Sequence, residues 1–212
     1  PRAGATIAQA FETHNWVKSA TRVSKAAGGT VVVDLVYRRP AAMVYYNNEV
    51  ADPDNPGQLK RVEGFFPIDE AGIVLPPQDF ASDDVWEYFI ISAEDARPAG
   101  DVGMPYGDVR IMEALKLCEL LEKHREPYQL QEIWVSRDTL ASGPSPWTLV
   151  ISTRDKREIV WGPPPNDFSG EELPALEKID RMLAWLKRPR SNRNEAINNT
   201  LDLRQGNPGT PV

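Results

Sequence analysis

Residues 30–46 read TVVVDLVYRRPAAMVYY, and how this stretch divides decides the fold. Residues 30–37 are rich in β-branched side chains, which predicts a strand. Arg38-Arg39-Pro40 then interrupts it, because proline cannot donate to a ladder. Upstream, Gly28-Gly29 turns the chain, and Trp16-Val17 opens an extended run to Lys25. Before that, residues 6–13 predict a short amphipathic helix with Ile7, Ala10 and Phe11 on one face. The order is helix, strand, turn, strand. Downstream, residues 47–59 (NNEVADPDNPGQL) are polar and hold two prolines, so residues 47–61 are expected to be a linker or long loop.

Residues 64–75 (GFFPIDEAGIVL) predict two short strands joined by a turn, in which Asp69 bonds backbone amides and Gly72 takes a positive φ. Asp108 is placed to cap a helix over 109–123, with Ile111, Leu115, Cys118 and Leu121 or Glu122 along one face and Pro127 ending it. Strands are expected at 131–137, 147–152 and 157–161. Ser169-Gly170-Glu171-Glu172 has capping-box form ahead of a helix carrying Leu176, Ile179, Leu183 and Leu186. The last element, residues 199–204 (NTLDLR), predicts a strand with Leu201 and Leu203 on one face. This is an α+β pattern without internal repeats.

At 212 residues with net charge −7, the chain can bury about 70% of its unfolded surface in a core. Its field repels nucleic acid and anionic lipid. One cysteine, Cys118, excludes an internal disulfide and a Cys-rich zinc site. No run of 18 apolar residues is present. The first residue is Pro1 rather than Met, so a longer polypeptide is expected.

Chemistry is sparse. His14 and His124 belong to no HxH or HExxH pair, and no phosphate-cradling or nucleophile-elbow motif occurs. Cys118 and His124 stand on different helix faces, so core packing explains the thiol better than a dyad. Asp52, Asp54, Gly57 and Glu63 match positions 1, 3, 6 and 12 of a calcium loop, but Pro56 at position 5 brings no oxygen and no flanking helices are expected. Asp83-Asp84 and Glu171-Glu172 read as exposed turns. Lys187, Arg188, Arg190 and Arg193 read as a solvated loop. Trp16, Trp86, Trp134, Trp147, Trp161 and Trp185 are spread over the chain as core or interface anchors. No catalytic, metal or cofactor-binding residue is expected.

Residues 15–45 (NWVKSATRVSKAAGGTVVVDLVYRRPAAMVY) resemble the second half of the POTRA domain of the bacterial cell-division family FtsQ/DivIB, with Trp16-Val17 and Arg39-Pro40 in the family's positions. Residues 66–75 (FPIDEAGIVL) are similar to the start of that family's β domain, with Asp69 and Gly72 in place. The likeness continues through the helix at 109–121, the strand 147–151, Val160 to Gly162 and the terminal Asp202-Leu203-Arg204. Relatives carry a further strand and helix before the equivalent of Thr6, a shorter loop than 47–59, and often aromatic residues where Gln205, Gly206 and two prolines stand here.

The resemblance implies the C-terminal part of a POTRA domain over residues 1–46 and an FtsQ-like β domain over 62–212, the latter a mixed or antiparallel sheet packed by two helices. It implies a non-catalytic, bitopic inner-membrane protein with this region in the periplasm at the septum. Its partners would be FtsB- and FtsL-like proteins, or DivIC-like ones, and through them the septal peptidoglycan synthase. The expected contact is strand addition at Thr200, Leu201, Asp202, Leu203, Arg204, Gln205 and Gly206, fading beyond Gly206 where Pro208 and Pro211 lack donors. The competing assignment is a POTRA-bearing module of an outer-membrane assembly or secretion system.

Overall fold

The computed structural model describes residues 2–137, 147–165, 173–188 and 199–204. Its elements in chain order are helix α1 (Arg2–Glu12), strands β1 (Val17–Lys25), β2 (Val31–Tyr37), β3 (Pro40–Ala51), β4 (Leu59–Asp69) and β5 (Phe89–Ala93), helix α2 (Val109–Tyr128), strands β6 (Leu130–Arg137), β7 (Trp147–Thr153) and β8 (Glu158–Gly162), helix α3 (Ala175–Leu186) and strand β9 (Thr200–Asp202). The class is α+β. Strands β1 and β2 form a separate antiparallel pair, and the other seven form one mixed sheet in the order β4-β3-β5-β6-β7-β8-β9. Within it, β3–β5, β5–β6 and β8–β9 run parallel.

The core follows from strand parity. Cross-strand register aligns Phe66, Val44, Ile91, Ile133, Ile151, Ile159 and Leu201 in one row spanning all seven strands. Their side chains share a face, since alternate residues of a strand point the same way. That face meets Ile111, Leu117, Cys118 and Leu121 of α2 and Ile179, Met182 and Leu186 of α3 in one buried cluster. Burying each such side chain contributes about 1.5–3 kcal/mol. Asp108 caps α2 by accepting from the Arg110 amide, as its spacing predicts.

Several segments differ from expectation for identifiable reasons. Residues 47–61 are mostly hairpin: β3 and β4 pair from Ala51↔Leu59 onward, and only residues 52–58 connect them. The asparagines that argue against a strand are satisfied by partners. Asn47 accepts from Arg61 Nε at 2.7 Å, and buried Asn48 donates to the Ala96 carbonyl. After the 69–72 turn, the expected second strand is reduced to two isolated bridges, Ile68↔Val74 and Ile73↔Pro105. Pro127 lies inside α2 rather than ending it. In the last turn its missing N–H removes one bond, and left-handed Gln129 closes the helix by donating to the Arg125 and Glu126 carbonyls. On α1, Ile7 is half-buried while Ala10 and Phe11 are exposed, because only the Gly4–Ile7–Ala8 side rests on the small sheet. Leu176 at the start of α3 is also exposed.

Residues 38 and 69 fasten the small sheet to the large one. Asp69 is fully buried. Its Oδ1 accepts the Ala71 and Ile73 amides at 2.9 Å, and its Oδ2 accepts from Arg38 Nη1 at 2.6 Å. Gly72 has φ 72°, and a Cβ there would collide with Met112 Sδ, so both residues of the predicted turn are fixed by packing. Beside this pair, the Arg38 amide donates to the Trp16 carbonyl, Trp16 Nε1 donates to Asp79 at 2.7 Å, and Lys18 pairs with Glu70.

Removing one member of a buried ion pair costs about 3–5 kcal/mol. Asp69→Asn, which retains an oxygen for the turn, should lower the urea midpoint markedly. Asp69→Ala, which also strands two amides, should lower it further.

Candidate functional site: the outer edge of the last strand

The sheet's parallel ladder determines what β9 presents. The Glu158 amide donates to the Asn199 carbonyl at 2.8 Å, and the Leu203 amide donates to the Val160 carbonyl at 2.9 Å. Residues 199, 201 and 203 therefore direct their backbone groups at β8, and strand alternation turns those of Thr200 and Asp202 the other way. Among the described residues no strand pairs with that outer edge. The side chains separate just as cleanly: Leu201 and Leu203 join the core, whereas Thr200, Asp202 and Arg204 are exposed.

Asp202 closes the strand through its own side chain. Its Oδ1 accepts the Arg204 amide at 2.9 Å, and Arg204 Nη2 reaches its Oδ2 at 2.7 Å. Burial opposes ionisation of Asp202, but the hydrogen bonds from Arg204, reinforced by the charges of Arg204 and Lys178, outweigh it and hold the carboxyl below its ordinary value. Behind the edge, Lys178 of α3 is buried and donates to the Trp161 carbonyl at 2.7 Å, with its Nζ 5.3 Å from the Trp161 ring centre. This cation clamps α3 to β8, the strand that carries β9. It is a positioning residue that apolar periodicity hides, because a lysine reads as a break in the buried stripe.

Of the expected contact residues, Thr200 to Arg204 fall at this edge, and Gln205 and Gly206, with Pro208 and Pro211, lie outside the described residues. So do the capping box at 169–172, Arg190 and Arg193; Lys187 and Arg188 are exposed.

The remaining candidates do not converge. Cys118 is buried, and burial, helped by Glu122, pushes its thiol well up. His124 sits against Tyr128, and His14 Nδ1 accepts the Trp16 amide. Asp52 is spent on the hairpin tip, accepting from the Asp54 amide and Asn55 Nδ2, while Glu63 accepts from Tyr45 Oη farther along the hairpin. Asp84 accepts the Ala81 amide. Among the described residues, no group of three or more His, Cys, Asp or Glu side chains could hold a metal ion, and no helix is long and apolar enough to cross a membrane. Of the six tryptophans, Trp161 is fully buried, whereas Trp86 and Trp134 are exposed.

Three further strands, β1, β2 and β4, have an unpaired side among the described residues. The free half of β4 carries Lys60, Arg61 and Glu63, charges of the kind that discourage pairing. Strand β2 is more apolar, with Val31, Val32, Val36 and Tyr37 exposed. No protein-family model and no curated protein matches the chain.

Hydrogen exchange should alternate along β9, slow at the Leu201 and Leu203 amides and fast at Thr200 and Asp202. Carbon-13 titration of Asp202 should give a midpoint below the ordinary value of about 3.9. With the folded pKa below the unfolded one, the associated stabilisation is present above the unfolded value and is lost as pH falls through the folded value. Arg204→Ala should move the midpoint up.

Proposed function

We propose that this chain is the periplasmic region of an FtsQ/DivIB-type division protein, a non-catalytic scaffold that recruits FtsB- and FtsL-like partners by strand addition at β9. The observation that carries the reading is the outward N–H and C=O groups of Thr200 and Asp202 on a sheet edge, at the Asp-Leu-Arg where the sequence resembles that family. Strand addition supplies affinity through main-chain bonds and selectivity through alternate side chains. Here a partner strand would meet Thr200 and Asp202 backbone groups, with the Asp202–Arg204 pair limiting its reach.

The arrangement of the rest supports the same reading. The small β1–β2 sheet under α1 supports a POTRA assignment for residues 2–37, whereas residues 40–46 of the expected POTRA segment belong to β3 of the large sheet; on this reading the open side of β2 is where the further POTRA strand would pair. On this reading the protein acts at the inner membrane of the septum, anchored by a helix upstream of these residues, and links the septal peptidoglycan synthase complex to the small bitopic proteins. Catalysis is left to those partners.

The test is binding of the periplasmic region of the FtsB-like protein from the same genome. Thr200→Pro removes one outward donor and leaves the bonds to β8 intact, so it should weaken binding at least tenfold while circular dichroism and thermal midpoint stay near wild type. Leu203→Pro breaks the inner ladder and should lose both binding and stability. A folded Thr200→Pro chain that binds as tightly as wild type overturns strand addition.

A further inference from the structure

The two faces of the large sheet are unequally covered. Helices α2 and α3 lie on one. On the other, residues 77–88 bring Phe80, Val85 and Tyr88 over Met43, Ile90, Tyr45 and Phe65, which covers the β3–β5 end. Farther along, Trp134 stands mid-strand between two paired neighbours yet is 42% exposed. Register places it in a cross-strand row, Ser92, Trp134, Val150, Val160 and Asp202, that runs to the outer edge of β9. The next row on the same face holds Glu132, Ser152 and Glu158. Glu132 accepts only the Ser92 hydroxyl, and neither carboxylate has a cation partner among the described residues. Of the cations bordering this face, Arg154 is paired with Glu126 and Arg204 with Asp202, which leaves Lys156 at the β7–β8 turn.

We infer that this face, from Trp134 to Val160, docks an amphipathic helix bearing lysine or arginine along one flank, laid across β6, β7 and β8. Strands β6, β7 and β8 are paired on both sides, so an occupant has no main-chain partner here and must satisfy its own backbone, which a helix does. The spacings agree: strands repeat every ~4.8 Å and helix turns every ~5.4 Å, so residues i, i+3 or i+4, and i+7 of one helix meet Trp134, Val150 and Val160 in turn. The flank facing Glu132 and Glu158 is then the basic one. A second copy of this chain is disfavoured, because this face carries the carboxylates of Glu132 and Glu158 against one unpaired cation among the described residues, Lys156, so two copies bring together an excess of like charge. At the inner end, a cleft of about 610 Å³ lined by Tyr45, Phe65, Trp86 and Ile90 receives a large apolar side chain. The inference extends the strand-addition reading and rests on it in one respect: the helix belongs to the partner that adds to β9, since the stripe ends at that edge.

The experiment uses the complete chain and the same FtsB-like periplasmic region, with affinities measured by calorimetry at two salt concentrations and folding checked by circular dichroism. Val150→Lys sets a cation on the stripe at a half-exposed position and should weaken binding at least tenfold. Glu132→Gln combined with Glu158→Gln should weaken it several-fold and flatten its salt dependence. Thr200→Pro serves as the edge control. Loss with Thr200→Pro alone overturns the face and leaves strand addition standing. Loss with the face variants alone overturns strand addition and leaves the face standing. Wild-type affinity in all three, or no binding by the wild-type chain, overturns both. A wild-type dimer that Val150→Lys dissociates also overturns the inference, because the face then covers itself.

Discussion

The Asp69 carboxylate is the constraint on which the arrangement of this molecule depends. It is wholly buried, and a buried carboxylate is tolerated only when its oxygens are occupied. Two turn amides and the Arg38 guanidinium occupy them. The contact ties three things together: the end of the small sheet, the start of β3 and the turn after β4. Because β3 is the second strand of the large sheet and sets the register of the row ending at Leu201, the orientation of the small sheet and the order of the large one share an anchor. Trp16 stacked on Phe80 and the exposed Lys18–Glu70 pair add local contacts around it, the latter contributing little because solvent screens it.

From that anchor the sheet propagates to β9 through two parallel pairings, two antiparallel ones and a final parallel one, and the consequences at the far end are geometric. A short last strand joined in parallel to β8 must leave one side of its backbone facing outward. The parity that sends Leu201 and Leu203 into the core sends the side chains of Thr200 and Asp202 away from it. Lys178 and the Asp202–Arg204 pair stiffen this margin, the first by holding α3 on β8 and the second by capping the strand end. A margin stiffened before binding loses less conformational freedom when a partner strand arrives.

Much of this was legible from residue order, and the exceptions share physical causes. Strands with β-branched runs, the Asp69–Gly72 turn and the Asp108 cap are local features, decided by neighbours within four residues, and the structure carries them. The β3–β4 extension was not legible because Asn47 and Asn48 owe their strand conformation to Arg61, Arg97 and the Ala96 carbonyl, groups 14 to 49 residues away. Pro127 misled because its cost is small in a helix's last turn. The edge strand could be read from the alternation of Leu201 and Leu203, but its free side could not, since strand order is a tertiary property. The stripe through Trp134, Val150 and Val160 was invisible for the same reason, because each residue comes from a different strand.

The central claim is that the margin at Thr200 and Asp202 lends main-chain bonds to a partner. The most direct measurement is an isotope-filtered NMR experiment on the complex with the FtsB-like periplasmic region, recording contacts from the Thr200 and Asp202 amide protons. The account predicts short-range contacts from both to backbone protons of the partner, together with slowed exchange at both amides. A saturated complex in which these two amides show no partner contacts and exchange as in the free chain would contradict it.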